Sequence, residues 1–451
     1  IMDNANQEEV EPYEEFVSDE PILSELPKAG SVKKQKQLDI FDATEITLSN
    51  GIRVIIKPTD FKQDEILMTS YSLGGTSTMS LDDATTINVI NELSTIGGLG
   101  NFSATDLPKV LAGKKVSVTP YIGNMTYGLR GSCSPKDLET MMQIMYLYLT
   151  DTRYDEEAFK SFITRYQAML ENMANDPMST LQDSLSALLF DSHPFRASLK
   201  VDDIDEIDYK LALELYEQCF SNVSNFVFTF TGNINTEEFI PLAEQYLGSL
   251  PKSKGKAKYG DNVATITSGS ANCIYDKAMS TPVTTVLMAY SGKMDYTLEN
   301  SVYMNAFSDI MDIIYTEKVR EDEGGTYGVS TSGDIMSMPE KKYIFQIFFQ
   351  TNAEIKDKLI GIIKDELDKM ATEGPDPVIL NKVKDYLVKH HQEQVKENRY
   401  WLNVIDSYYI DNLDNHSDYL EIVNGITAEK MRDFAKQVIS NDLKELIQVG
   451  K

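Results

Sequence analysis

The most constraining feature of this 451-residue chain is that its pattern repeats. Ser132–Leu149 sets beside Thr351–Leu367, and Tyr154-Asp-Glu-Glu-Ala-Phe159 beside Pro375-Asp-Pro-Val-Ile-Leu380. Phe226-Val-Phe-Thr-Phe-Thr-Gly232 sets beside Glu445-Leu-Ile-Gln-Val-Gly450. The offset stays near about 220 residues throughout, which is what a tandem duplication leaves behind when identity has decayed. Whatever one copy folds into, the other must fold into as well.

Within the first copy, Thr44–Lys57 reads as a hairpin about Asn50-Gly51, and Ile66–Leu73 as a further strand. A helix is predicted over Asp82–Thr95, ending at Gly97-Gly98, followed by strands at Lys115–Thr119 and Thr126–Gly131. Ser134-Pro-Lys-Asp137 opens a helix whose Leu138, Met141, Met142, Met145 and Tyr146 form one apolar stripe. At that spacing the stripe is core rather than a methionine-rich docking surface. Helices over Asp155–Met173, Thr180–Leu189 and Tyr209–Phe220 precede the strand Phe226–Phe230 and a closing helix, Asn235–Tyr246. The second copy gives a strand at Val283–Tyr290, a helix at Asn300–Glu317 and a strand at Tyr343–Phe349. Helices at Ala353–Met370, Val378–Val395, Trp401–Ile410 and Ala428–Ile439 and a strand at Leu443–Val449 complete it.

The expected fold class is α+β: two duplicated domains of mostly antiparallel sheet with helices packed on one face. The expected divisions are an acidic arm over 1–39, with a short strand near Val32, a first copy over 40–250, a linker over 251–268 and a second copy over 269–451.

The formal charge of −28 repels phosphate backbones and anionic lipid, so no nucleic-acid partner is expected. No stretch is apolar enough to make the chain integral to a membrane. Cys133, Cys219 and Cys273 form no C-x-x-C pattern, and Cys133 has no evident histidine partner for hydrolase chemistry. Histidine is scarce: His193, His390, His391 and His416.

Leu48-Ser-Asn-Gly-Ile-Arg-Val-Ile-Ile-Lys-Pro58, His193-Pro-Phe-Arg196, Gly232-Asn-Ile234, Pro241-Leu242 and Tyr246-Leu-Gly-Ser-Leu-Pro251 together resemble the pitrilysin-type (M16) zinc peptidases, whose domains are of the LuxS/MPP-like metallohydrolase type. The resemblance covers essentially everything beyond residue 40. It implies four such domains in a full-length member, two per half, closing around a peptide. The family's catalytic half carries H-x-x-E-H, two histidines for zinc and a glutamate to activate water. This chain has no such motif, and in the helix at 82–95 Glu92 is the only carboxylate after the opening aspartates. His390-His-Gln-Glu-Gln394 comes near the motif but ends in Gln394, and it falls in a late helix; it reads as a wet helical face. His193 reads as a local bonding group and His416 as surface.

The resemblance therefore implies a non-metal half, inactive alone, with zinc and hydrolysis supplied by a covalent or associated H-x-x-E-H half. Val319-Arg-Glu-Asp-Glu-Gly-Gly-Thr-Tyr-Gly328 resembles the family's arginine–tyrosine element. That likeness implies that Arg320 anchors the peptide backbone and Tyr327 hydrogen-bonds the scissile carbonyl or the oxyanion. The ordinary alternative pairs Arg320 with Glu321 or Glu323 and packs Tyr327 on the strand. Gly97, Gly98 and Gly100 either end a helix or form a mobile loop that touches substrate. Bacterial relatives imply a periplasmic location. The other reading of the whole chain is a non-catalytic peptide-binding or scaffold protein derived from a degenerate peptidase.

Overall fold

The structure, a computed structural model, describes residues 20–324, 326 and 328–451. The first lobe holds β1 (Val32–Leu38), β2 (Ala43–Leu48), β3 (Arg53–Pro58), β4 (Ile66–Leu73), β5 (Val116–Ile122), β6 (Thr126–Cys133) and β7 (Val227–Gly232). Its helices are α1 (Ala84–Ile87), α2 (Ile90–Ile96), α3 (Leu107–Val110), α4 (Leu138–Thr150), α5 (Glu156–Met173), α6 (Pro177–Phe190), α7 (Tyr209–Phe220) and α8 (Thr236–Leu242). The second lobe holds β8 (Ala271–Lys277), β9 (Thr284–Lys293), β10 (Val329–Met336), β11 (Lys342–Thr351) and β12 (Asp442–Gly450). Its helices are α9 (Leu298–Tyr315), α10 (Lys356–Glu373), α11 (Pro377–Gln394), α12 (Asn398–Asp411), α13 (Tyr419–Asn424) and α14 (Ala428–Ile439).

The sheets run β1-β2-β3-β7-β4-β6-β5 and β10-β11-β9-β12-β8. In each, one parallel pair, β3 with β7 and β8 with β12, interrupts otherwise antiparallel pairing. Equivalent positions keep one spacing: Ile66 and Thr284 open matching strands, Leu138 and Lys356 matching helices, and Gly232 and Gly450 close matching strands, each pair 218 residues apart.

The alternation of strand side chains decides which core each residue enters. On β9, Val286, Met288 and Tyr290 face the inner core under α9, while Leu287 and Ala289 face outward. On β7, Phe228 and Phe230 point inward and Val227 outward. All six residues of β7 are buried, so both faces of the sheet are covered. The expected pair of mostly antiparallel sheets packed by helices is borne out, and the second face of each sheet is covered as well. The outer face of each sheet is covered by a helix from the other lobe. Val404 and Ile405 of α12 close over Phe41, Ala43, Ile55, Tyr71 and Val227. Reciprocally, Leu181 and Leu189 of α6 close over Leu287, Ala289 and Leu446.

Polar contacts fix the register of α12. The Thr69 and Thr229 hydroxyls donate to the two Asp406 carboxylate oxygens at 2.6 and 3.0 Å. Thr231 donates to the Asn398 carbonyl at 3.1 Å, and Tyr409 donates to Glu45. The Lys57 ammonium sits 4.4 Å from the Trp401 ring centre. Burial outweighs the two threonine bonds and the Arg130 charge at Asp406, pushing its carboxyl up to about 6. A carboxyl raised in the fold contributes stability that is complete below about pH 4 and lost as pH rises through about 6. Asp406→Asn keeps the shape without the charge. It is expected to stabilise the chain by about 1–2 kcal/mol at pH 8 and to leave it near neutral at pH 4. Calorimetry at the two pH values checks this; an equal shift at both would refute the assignment.

The described part of the expected arm packs onto the first lobe. Ile22 is buried, the Val32 N–H donates to Glu244 at 2.7 Å, and β1 forms a full edge strand on β2. Lys33, Lys34 and Lys36 on this edge discourage further strand pairing. The helix predicted over 82–95 is broken at Asn88–Val89, where the Asn88 amide donates to the Pro194 and Ala197 carbonyls at 3.0 and 3.1 Å.

Candidate functional site

The second-copy segment singled out from sequence begins on α9. Thr297 caps it, accepting from the Asn300 N–H at 3.1 Å, and Val302, Ala306, Phe307, Ile310 and Met311 bury its inner face. The helix widens into a π turn over Thr316–Glu321, pinned by fully buried Val319. Arg320 on this turn is exposed. Neither acidic partner that would make it ordinary is taken up. Glu323 pairs with Lys358 of α10, and Arg320 makes no ion pair among the described residues. Gly324 (φ 64°) then turns the chain, the Thr326 hydroxyl accepts from the Gly328 N–H at 3.2 Å, and β10 begins at Val329. Gly324 and Thr326 border a cleft of about 420 Å³ whose other walls are Pro282, Val283, Gln350, Thr351 and Asn352. Tyr327 lies outside the described residues.

Gly97, Gly98 and Gly100 have packing reasons. A Cβ on Gly97 would lie 1.9 Å from the Arg153 carbonyl oxygen, and one on Gly98, at φ 90°, would lie 2.1 Å from that of Phe102. The turn is tied by Leu99 N–H to Phe102 O at 2.9 Å and Gly100 N–H to Asp151 O at 3.0 Å. It is a buried helix end rather than an open loop.

No metal centre forms among the described residues: no three His, Cys, Asp or Glu side chains converge. Glu92 is exposed on α2, among buried Ile90, Leu93 and Ser94. The histidines serve packing. His193 accepts from the Phe195 N–H at 3.3 Å. Two expectations need correcting. His391 is buried rather than wet, its ring stacked 4.3 Å from Tyr419. His416 is half-buried rather than on the surface, 4.6 Å from the Trp401 ring and 2.8 Å from the Tyr400 hydroxyl. Only the spacing of aromatics around residues 400–419 hinted at this cluster. The Cys133 thiol is buried and pushed up to about 12 by burial, which removes it as a nucleophile.

A family model described as "Peptidase M16 inactive domain" matches residues 206–387, from the end of the first lobe into the second. A zinc protease PQQL-like protein of Arabidopsis thaliana is 23% identical over 418 residues, covering 89% of this chain and 41% of its own. The periplasmic protease PqqL of Escherichia coli superposes with a TM-score of 0.83 at 18% identity, over 96% of this chain and 48% of that one. The separately determined first half of the same protease gives 0.68 at 12% identity, over 94% and 93%. The chain thus spans less than half the length of the curated relatives it matches.

Proposed function

Because the chain belongs to the pitrilysin-type M16 peptidase family, we propose that it is the non-metal half of a zinc-dependent endopeptidase. The observation that carries this reading is the pairing of a family match described as inactive with a fold whose histidines are spent on packing. The superpositions support it: the whole Escherichia coli protease fits better than its first half alone, so the better partner for this chain is the remainder. Among the described residues none converge into a zinc site, and in this reading an H-x-x-E-H half, joined or associated, holds the zinc. A periplasmic location is proposed on the same likeness.

In this reading the two lobes close one side of a peptide chamber. Arg320, exposed and free of carboxylate partners among the described residues, anchors a substrate carbonyl. The Tyr327 hydroxyl donates to the oxygen on which negative charge develops. A donor aimed at that oxygen favours the transition state over the substrate. In this reading substrate contact falls to this segment and not to the turn at Gly97–Gly100, of which Gly97 and Gly98 are buried.

Purified alone, the chain is expected to hold no stoichiometric zinc by elemental analysis and to leave casein-derived peptides uncut. Adding an H-x-x-E-H half is expected to restore cleavage. Robust cleavage by the chain alone would sink the proposal, and failure of every such half to gain activity from it would favour a scaffold role.

A further inference from the structure

A second cavity, of about 410 Å³, opens where α12 leaves its own lobe to reach the other sheet. Its walls come from the start of α9, from β10, from the end of α11, from α12 and from α13. Three tyrosines line it, Tyr296, Tyr400 and Tyr419, together with Asp334, Asn305 and Asn403. No lysine, arginine or histidine lines it among the described residues.

The charge around it has one sign. Asp334 is exposed to the cavity; one of its oxygens accepts from the Ile335 N–H at 2.9 Å, and it makes no ion pair among the described residues. Asp411 and Asp334 both raise the Tyr296 hydroxyl, after burial, which is the larger cause. Asp309 acts in the same sense on Tyr419, and Asp414 on Tyr400. Two histidines stand behind this wall, His416, 2.8 Å from the Tyr400 hydroxyl, and His391, stacked 4.3 Å from the Tyr419 ring, and burial disfavours the charged form of both. The Asn305 and Asn403 amides have no protein partner among the described residues, so their hydrogen-bonding capacity is unspent. The Tyr296 ring stacks on no other aromatic there. A carboxylate, an aromatic ring edging the cavity and free amide oxygens are together what a positively charged nitrogen group binds.

We propose that this cavity binds a cationic group, an alkylammonium or guanidinium, seated between the Asp334 carboxylate and the Tyr296 ring. The site does not depend on the peptidase reading. The group could come from a basic side chain of a peptide or from a free polyamine, and the test separates the two. The full chain is titrated by calorimetry with acetyl-Gly-Arg-Gly-amide, with its citrulline counterpart and with spermidine. The arginine peptide or spermidine is expected to bind, with the citrulline peptide about tenfold weaker or silent. Binding of the peptide alone assigns a side chain, and of spermidine alone a polyamine. Asp334→Asn, which keeps the acceptor for the Ile335 N–H, is expected to weaken binding about tenfold. Asn403→Trp, on the exposed side of α12, is expected to abolish it by filling the cavity. Equal binding of the arginine and citrulline peptides, no effect of Asp334→Asn, or no heat from either cation at 10 mM, about the weakest affinity such a contact could have, overturns the proposal.

Discussion

Residues 20–268, expressed without the second lobe, are expected not to reach a native fold. The reason is the exchanged helix. Phe41, Ala43, Ile55, Tyr71 and Val227 are buried only because α12 lies over them. Without it, four large side chains and an alanine face water from one sheet. At about 1.5–3 kcal/mol for each large side chain, the loss is about 6–12 kcal/mol, the whole stability of an ordinary domain. The second lobe loses the cover of Leu181 and Leu189 in the same way. Co-expression of 1–268 with 269–451 is expected to recover soluble protein. Ile405→Asp, which buries a charge against Ile55 and Val227, is expected to reproduce the defect in the intact chain. Calorimetry of the full chain should show one transition. Two separate transitions, or a soluble, cooperatively melting first lobe, would mean that the exchange adds little.

The second large effect is expected at Tyr327. With the metal-bearing half present, Tyr327→Phe should lower kcat by about 10²–10³-fold, the loss of one donor to an oxyanion, with little change in KM. Arg320→Ala should act in the opposite way, raising KM more than it lowers kcat, because a backbone anchor is used by substrate and transition state alike. Steady-state kinetics separate the two. Unchanged turnover in Tyr327→Phe would remove the hydroxyl from the reaction.

The sequence was most legible where a strong local signal agreed with its surroundings. The Tyr209–Phe220 and Ala428–Ile439 helices begin and end where their apolar periodicity does. The duplication offset survived as a constant spacing of strands and helices. Edge strands were harder. β8 and β10 went unread because a strand with one free edge and one wet face needs few apolar residues; β10, Val-Ser-Thr-Ser-Gly-Asp-Ile-Met, carries a glycine and an aspartate. The Asn88 break depends on carbonyls more than 100 residues away, which no local pattern announces. His391 reads as wet among Lys389, Gln392 and Glu393, and its packing against Tyr400, His416 and Tyr419, distant in sequence, buries it. At the candidate site, the family likeness pointed to Arg320; that its acidic neighbour Glu323 turns instead to Lys358 was visible only in three dimensions.

A single copy of this unit has no helix of its own for its outer sheet face, since α6 and α12, equivalent in the two copies, each serve the other. Two separate copies of such a unit would meet the same need by lending each other this helix, an isologous contact; here one chain makes both halves of it.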